Sequence, residues 1–214
     1  MAVLPERHAD RAKALCTEMF GERFELSRDL LSIALGNVNP QNHMAIALCN
    51  LTRIELGETW GQNAKLTPSV GRLIEGLDRE RLAVAERLGS PVGSIFDFFS
   101  NSFGVRGDTV SDIAAQRTSQ GNDPFGPRDA TTRYILEDVP FGLVPTLYLA
   151  SLCGVPVPLH SHGVGLLSAC YGRDFATDND LLPEFADLDL ATLKRLSRDG
   201  YANNITAVDR IDGR

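Results

Sequence analysis

The feature that most constrains this chain is a gap in its charge pattern. Residues 139–172 contain no Asp, Glu, Lys or Arg, a length of apolar sequence that could cross a bilayer as one helix. The run is interrupted too often for that. Pro140, Pro145, Pro156 and Pro158, with Gly142, Gly154, Gly163 and Gly165, divide it into short pieces, and His160 and His162 lie within it. The pattern therefore predicts short helices buried in a core or at a subunit interface, with no membrane partner. A chain of 214 residues can bury such a core without a disulfide or metal staple.

Charge and cysteine usage narrow the partners. The chain carries 21 basic and 28 acidic residues, a net charge of −7, and this balance repels a polyanion, so no nucleic-acid partner is expected. Cys16, Cys49, Cys153 and Cys170 are scattered, with no C-x-x-C pair. The opening residues do not read as a basic-then-apolar leader. Reduced thiols and a cytoplasmic protein are the expectation.

The punctuation is that of a mainly α protein. Ala12, Leu15, Cys16 and Met19 predict a helix over residues 9–20 that stops at Gly21, flanked by short strands at residues 2–4 and 23–26. Asn39 as N-cap, Pro40 at the first helical position and Gly57 as terminator predict a helix over 40–56. Thr67-Pro68 and Gly89 bracket another. Shorter helices are expected near 95–99 and 110–117, a loop over 119–131, and a last helix from Asp189 to about Arg198. Residues 32–35 are read as extended. Trp60, Phe96, Phe98 and Phe99 are read as core or pocket-wall aromatics.

On the 40–56 helix, His43 lies in the first turn, with Ala47 and Asn50 four and seven positions further along the same face. The small residue between them leaves room for a substrate. The helix N-terminus disfavours an imidazolium, so a carboxylate must oppose the dipole if His43 is to hold a proton. The simpler alternative is a core histidine satisfied by one hydrogen bond. Further on, Arg133, Glu137 and Asp138 stand just before the uncharged run. Arg133 and Glu137, four apart, suit a surface pair worth about 0.3–0.5 kcal/mol, and Pro140 predicts a bend just past Asp138. His160 and His162 point apart on a helix with no third ligand close in sequence, so no metal site is expected.

Asn37-Val38-Asn39-Pro40-Gln41-Asn42-His43, followed by Asn50 and Arg53-Ile54-Glu55, resembles the opine dehydrogenase family (octopine/nopaline-type dehydrogenases) in its C-terminal helical domain. Arg133-Tyr134 and Glu137-Asp138-Val139-Pro140-Phe141-Gly142-Leu143 continue the likeness. Gly154-Val155-Pro156-Val157-Pro158 and Gly172-Arg173-Asp174-Phe175 extend it beyond residue 175. The resemblance implies a mainly α fold. Residues 37–214 would form a helical substrate and catalytic domain similar to that of phosphogluconate dehydrogenase, and residues 1–36 a β-α-β remnant of a Rossmann domain.

Enzymes of this family join an amino acid to a 2-oxo acid as an imine and reduce it with NAD or NADP. By resemblance, His43 is the acid that protonates departing water, Asp138 orients it, and Arg133 grips a substrate carboxylate; Asn50 is a further substrate contact. The sequence departs from the family in one respect. No strand followed by G-x-G-x-x-G stands near its start, and Gly163-Val164-Gly165-Leu166-Leu167-Ser168 lacks the strand context of a phosphate loop. The implied cofactor is therefore bound mainly by a domain outside this chain. The implied partners are that Rossmann domain, the two substrates and a second copy of the chain in a homodimer. The competing reading is a non-catalytic helical dimerisation or binding module.

Overall fold

Two long helices, α3 (Asn39–Glu55) and α4 (Pro68–Leu88), lie at the centre of residues 1–201, the part that the computed structural model describes. Both have proline in the first turn, where no N–H is required, and both are followed by a glycine at positive φ, Gly57 and Gly89. The cap of α3 differs from expectation: Asn37 Oδ1 accepts the Asn39 N–H at 3.1 Å, and Asn39 is already helical. Every residue of α3 from Pro40 to Ala47 is buried, the signature of a helix enclosed on all sides. Val70, Ile74 and Leu77 of α4 join Met44, Ala45 and Ile46 in one core; Val84, Ala85 and Leu88 join Leu31, Leu35 and Leu149 in another.

Acidic side chains of α4 also anchor the neighbouring helices. Glu75 accepts the Val110 N–H at the start of α6 (Val110–Ser119), at 2.9 Å. Asp78 accepts the Ile95 N–H at the start of α5 (Ile95–Phe103), also at 2.9 Å. Glu80 accepts the N–H groups of Leu159 and His160, at 2.8 and 3.1 Å, in the first turn of α9 (Pro158–Tyr171). Each carboxylate satisfies orphan donors and meets the positive end of a helix dipole.

The N-terminal segment has α1 (Ala9–Phe20) as expected, but the strands around it are not formed. The Met1 amine donates to the Glu25 carbonyl and the Ser27 N–H to the Met1 carbonyl, so two extended stretches lie side by side. Two such bonds do not make a sheet, because strands need further neighbours to be stable. Among the described residues the sole β feature is an isolated Gly61–Phe125 bridge, and a Rossmann remnant is therefore not seen. Residues 32–35 are helical too. They belong to α2 (Leu30–Gly36), whose N-cap Asp29 accepts the Ser32 N–H at 2.8 Å. This helix packs on α4 and α10 (Leu190–Asp199), and residues 36/37 lie at its C-terminal end, before α3.

In the uncharged region, α7 (Arg133–Leu136), a π turn (Val139–Leu143) and α8 (Val144–Cys153) run on as one helical stretch. By length and composition Arg133–Cys153 is apolar enough to cross a membrane; in this fold Ile135, Val139 and Leu143 are fully buried in the protein's own core. The bend expected past Asp138 is replaced by the π turn, in which the Val144 N–H reaches back to the Val139 carbonyl. A wider turn accommodates Pro140, which has no N–H and whose ring would crowd the carbonyl one α-turn earlier. The Pro140 carbonyl accepts Asn179 Nδ2 at 2.7 Å, and the Gly142 carbonyl accepts Thr146 Oγ1 at 2.9 Å.

Candidate active site

The π turn sits directly on the first turn of α3. A Cβ on Gly142 would lie 2.4 Å from Pro40 Cγ, so only glycine permits this approach. The contact brings together two residues 95 positions apart: His43 Nδ1 lies 2.6 Å from Asp138 Oδ2. So short a separation fits a charge-assisted hydrogen bond. His43 is buried, whereas the Asp138 side chain keeps 22% of its surface exposed, so the pair opens to solvent at the carboxylate. With Nδ1 engaged, Nε2 is the nitrogen that remains for a ligand. Helix α3 directs its positive end at the imidazole, and Asp138 supplies the opposing charge.

Arg133 is exposed at the start of α7 and forms no ion pair among the described residues. The surface pair with Glu137 does not form. Glu137 is the C-cap of the one-turn helix α7 and its N–H still bonds the Arg133 carbonyl at 3.1 Å, so the backbone keeps the (i, i+4) alignment while the two charged ends do not meet. Asn50 is buried, and its Nδ2 donates to the Ile46 carbonyl at 2.9 Å, where α3 has a non-helical kink. Ala47 is fully buried in the core, so the room expected above it is filled.

Two further residues complete the site. The Tyr134 ring stacks on the His43 imidazole, with centroids 3.5 Å apart and planes 6° from parallel. Its hydroxyl donates to Gln62 Oε1 at 2.6 Å. Burial pushes the Tyr134 phenol above its ordinary value and Asp138 adds to this, outweighing Arg133 and the Gln62 hydrogen bond; the phenol therefore stays protonated and is a donor near neutrality. Tyr134 stands four residues before Asp138, a same-face spacing visible in the sequence. Gln62, in a loop, carries no such signal. Gln41 Oε1 and Asn42 Oδ1, in the same turn as His43, are buried without a hydrogen-bond partner.

The other candidates lie elsewhere. His160 is fully buried, with Nδ1 2.8 Å from Glu80 Oε2, while His162 is exposed. No group of three metal-ligating side chains occurs among the described residues. Gly163-Val164-Gly165-Leu166-Leu167-Ser168 lies inside α9, where the amides are committed to the helix and a Cβ on Gly163 would meet Met44 Sδ at 2.5 Å; it cannot cradle a phosphate. Trp60 is buried and donates to the Pro127 carbonyl at 3.1 Å, Phe99 lies in the core, and Phe96 and Phe98 are half-buried against it. A cavity of about 480 Å³ beside Phe96 and Arg106 shares no lining residue with the His43 site. All four cysteines are free.

Comparison with known proteins bears on this arrangement. A family model described as NAD/NADP octopine/nopaline dehydrogenase, alpha-helical domain, matches residues 26–171. An opine dehydrogenase of Arthrobacter sp. (strain 1C) is 33% identical over 159 residues, which cover 72% of this chain and 43% of that protein. A solved structure of octopine dehydrogenase with NADH and L-arginine superposes with a TM-score of 0.68 at 15% identity, over 88% of this chain and 54% of the other. The chain spans about half the length of these relatives.

Proposed function

This chain belongs to the octopine/nopaline dehydrogenase family through that family's alpha-helical domain, and from that premise we propose that it is the substrate-binding and proton-handling half of an oxidoreductase that condenses an amino acid with a 2-oxo acid. The observation that carries the proposal is the 2.6 Å contact of His43 and Asp138; Arg133, five residues before Asp138, is exposed and forms no ion pair among the described residues.

The amine of one substrate adds to the keto carbon of the other to give a carbinolamine, whose hydroxyl leaves only as water. His43 donates the proton from Nε2 to that oxygen while the nitrogen lone pair forms the C=N bond. Asp138, bonded at Nδ1, fixes which ring nitrogen faces the substrate and compensates the charge on the ring. Arg133 holds no carboxylate among the described residues, and its planar fork suits two hydrogen bonds to the carboxylate of the oxo acid, setting the keto carbon in register.

The reducing equivalent belongs to NAD(P)H. The glycine-rich stretch Gly163-Val164-Gly165-Leu166-Leu167-Ser168 is locked inside α9 and does not offer its amides to the phosphates. A Rossmann domain, on the same or a separate polypeptide, would supply it. The exposed Leu15, Met19 and Phe20 of α1, a helix that buries none of its own residues, are a surface such a domain would cover.

The test supplies the chain with a dinucleotide-binding domain of an opine dehydrogenase and follows NADH oxidation with amino acids and 2-oxo acids in pairs. Turnover that needs both substrates, and that is lost in His43→Asn, supports the reading. Absence of turnover with every pair, in a folded and NADH-binding assembly, would favour the helical binding module.

A further inference from the structure

We propose that Tyr134 is a positioning residue for His43: its ring holds the imidazole flat in the plane where Nδ1 meets Asp138, and Gln62 in turn fixes the tyrosine. This rests on the reading of His43 as the proton donor and names the device that aims it.

The stack has an unusual geometry. Carbon planes come into contact at about 3.5 Å, so a centroid separation of 3.5 Å with planes 6° apart leaves almost no lateral offset. Two neutral aromatic rings prefer an offset or edge-on arrangement. This face-to-face stack is therefore held by its surroundings, and it keeps the imidazole in the plane in which Nδ1 meets Asp138.

Tyr134 is held from its far end. Its hydroxyl donates to Gln62 Oε1 at 2.6 Å, and the Gln62 N–H donates to the Pro124 carbonyl at 2.8 Å. The next residue, Asn63, donates its N–H to Asp123 Oδ1 at 2.7 Å and its Nδ2 to the Asn122 carbonyl at 2.6 Å. Trp60 closes the same clasp through Pro127, and a Cβ on Gly126 would lie 2.4 Å from the Trp60 ring. Two loops are thus locked together, and Gln62 projects from the lock onto the tyrosine. The charged and titratable groups around the imidazole are Asp138, in contact; Tyr134, stacked; and Arg133 and Glu137, beside them on the α7 side. On α4 and α9, Glu80 and His160 bond each other and form no bond to His43.

The test is NMR of the histidine side chains in this chain and in its variants. In the native protein the His43 ring protons should be shifted upfield of those of exposed His162 by the ring current of Tyr134; resonances without that shift would overturn the proposal with no variant needed. Tyr134→Leu should remove the upfield shift, and Tyr134→Phe, which keeps the π face, should retain most of it. Gln62→Ala should reduce the shift, because the tyrosine is no longer held. An unchanged shift in a folded Tyr134→Leu, or in Gln62→Ala, overturns the assignment. None of these readouts needs turnover, so an assembly inactive with every substrate pair would count against the enzymatic reading alone, and an unperturbed His43 against this one alone.

Discussion

Asp138→Asn keeps the shape of the carboxylate and removes its charge, so the ring of His43 loses both its orienting anion and the compensation for α3's positive end. In the assembly completed with a nucleotide-binding domain, kcat should fall about a hundredfold to ten-thousandfold with little change in melting temperature; steady-state kinetics beside a thermal melt decide this. Arg133→Lys separates two roles of a cation. Lysine keeps the charge and loses the fork, so KM for the oxo acid should rise about tenfold or more while stability is unchanged; unaltered oxo-acid kinetics would leave Arg133 without a part in binding. His43, Asp138 and Arg133 were legible in the sequence as motif positions. The meeting of His43 and Asp138 was not, because it depends on Gly142, about one turn past Asp138, which lets Pro40 sit against the π turn. Tyr134 was hidden in plain spacing, and Gln62 was invisible, since a loop glutamine acquires its role only from the clasp around it.

Among the elements, the long helices were readable to within about a residue, because proline and glycine act through backbone sterics that operate before any tertiary contact exists. The failures were elements whose form depends on neighbours. Residues 32–35 are helical because Asp29 caps them and α4 and α10 cover them, and the strands flanking α1 have nothing further to pair with. Glu80 shows what one α4 carboxylate contributes. Burial acts to raise its value, but the His160 hydrogen bond and the amides of Leu159 and His160 outweigh that and leave it lowered from 4.5. A depressed carboxylate contributes stability that is complete above its unfolded value and is lost as pH falls through the folded one. Stability should therefore decline below about pH 4.5, and Glu80→Gln should flatten that limb in urea melts taken across pH. At neutral pH Glu80→Gln should cost about 1 kcal/mol, and Glu80→Ala, which strands His160, about 3 kcal/mol.

At the scale of the whole molecule, the 214-residue chain should bind NADH or NADPH negligibly by calorimetry, because α9 holds the amides of its glycine-rich stretch in helical bonds. Micromolar binding would point to a nucleotide site of another kind. That the molecule is mainly α was readable in its punctuation; how its helices are tied to one another was not, as Glu75, Asp78 and Glu80 look like ordinary surface charges until their partners are seen. The same three residues govern how the protein comes apart. Three helices begin on carboxylates of a single helix, so α4 cannot fray without releasing the starts of α5, α6 and α9. Amide hydrogen exchange at Ile95, Val110 and Leu159, far apart in sequence, should share one opening free energy with the centre of α4, as a single cooperative unit. Independent exchange at the three would mean that each helix opens alone.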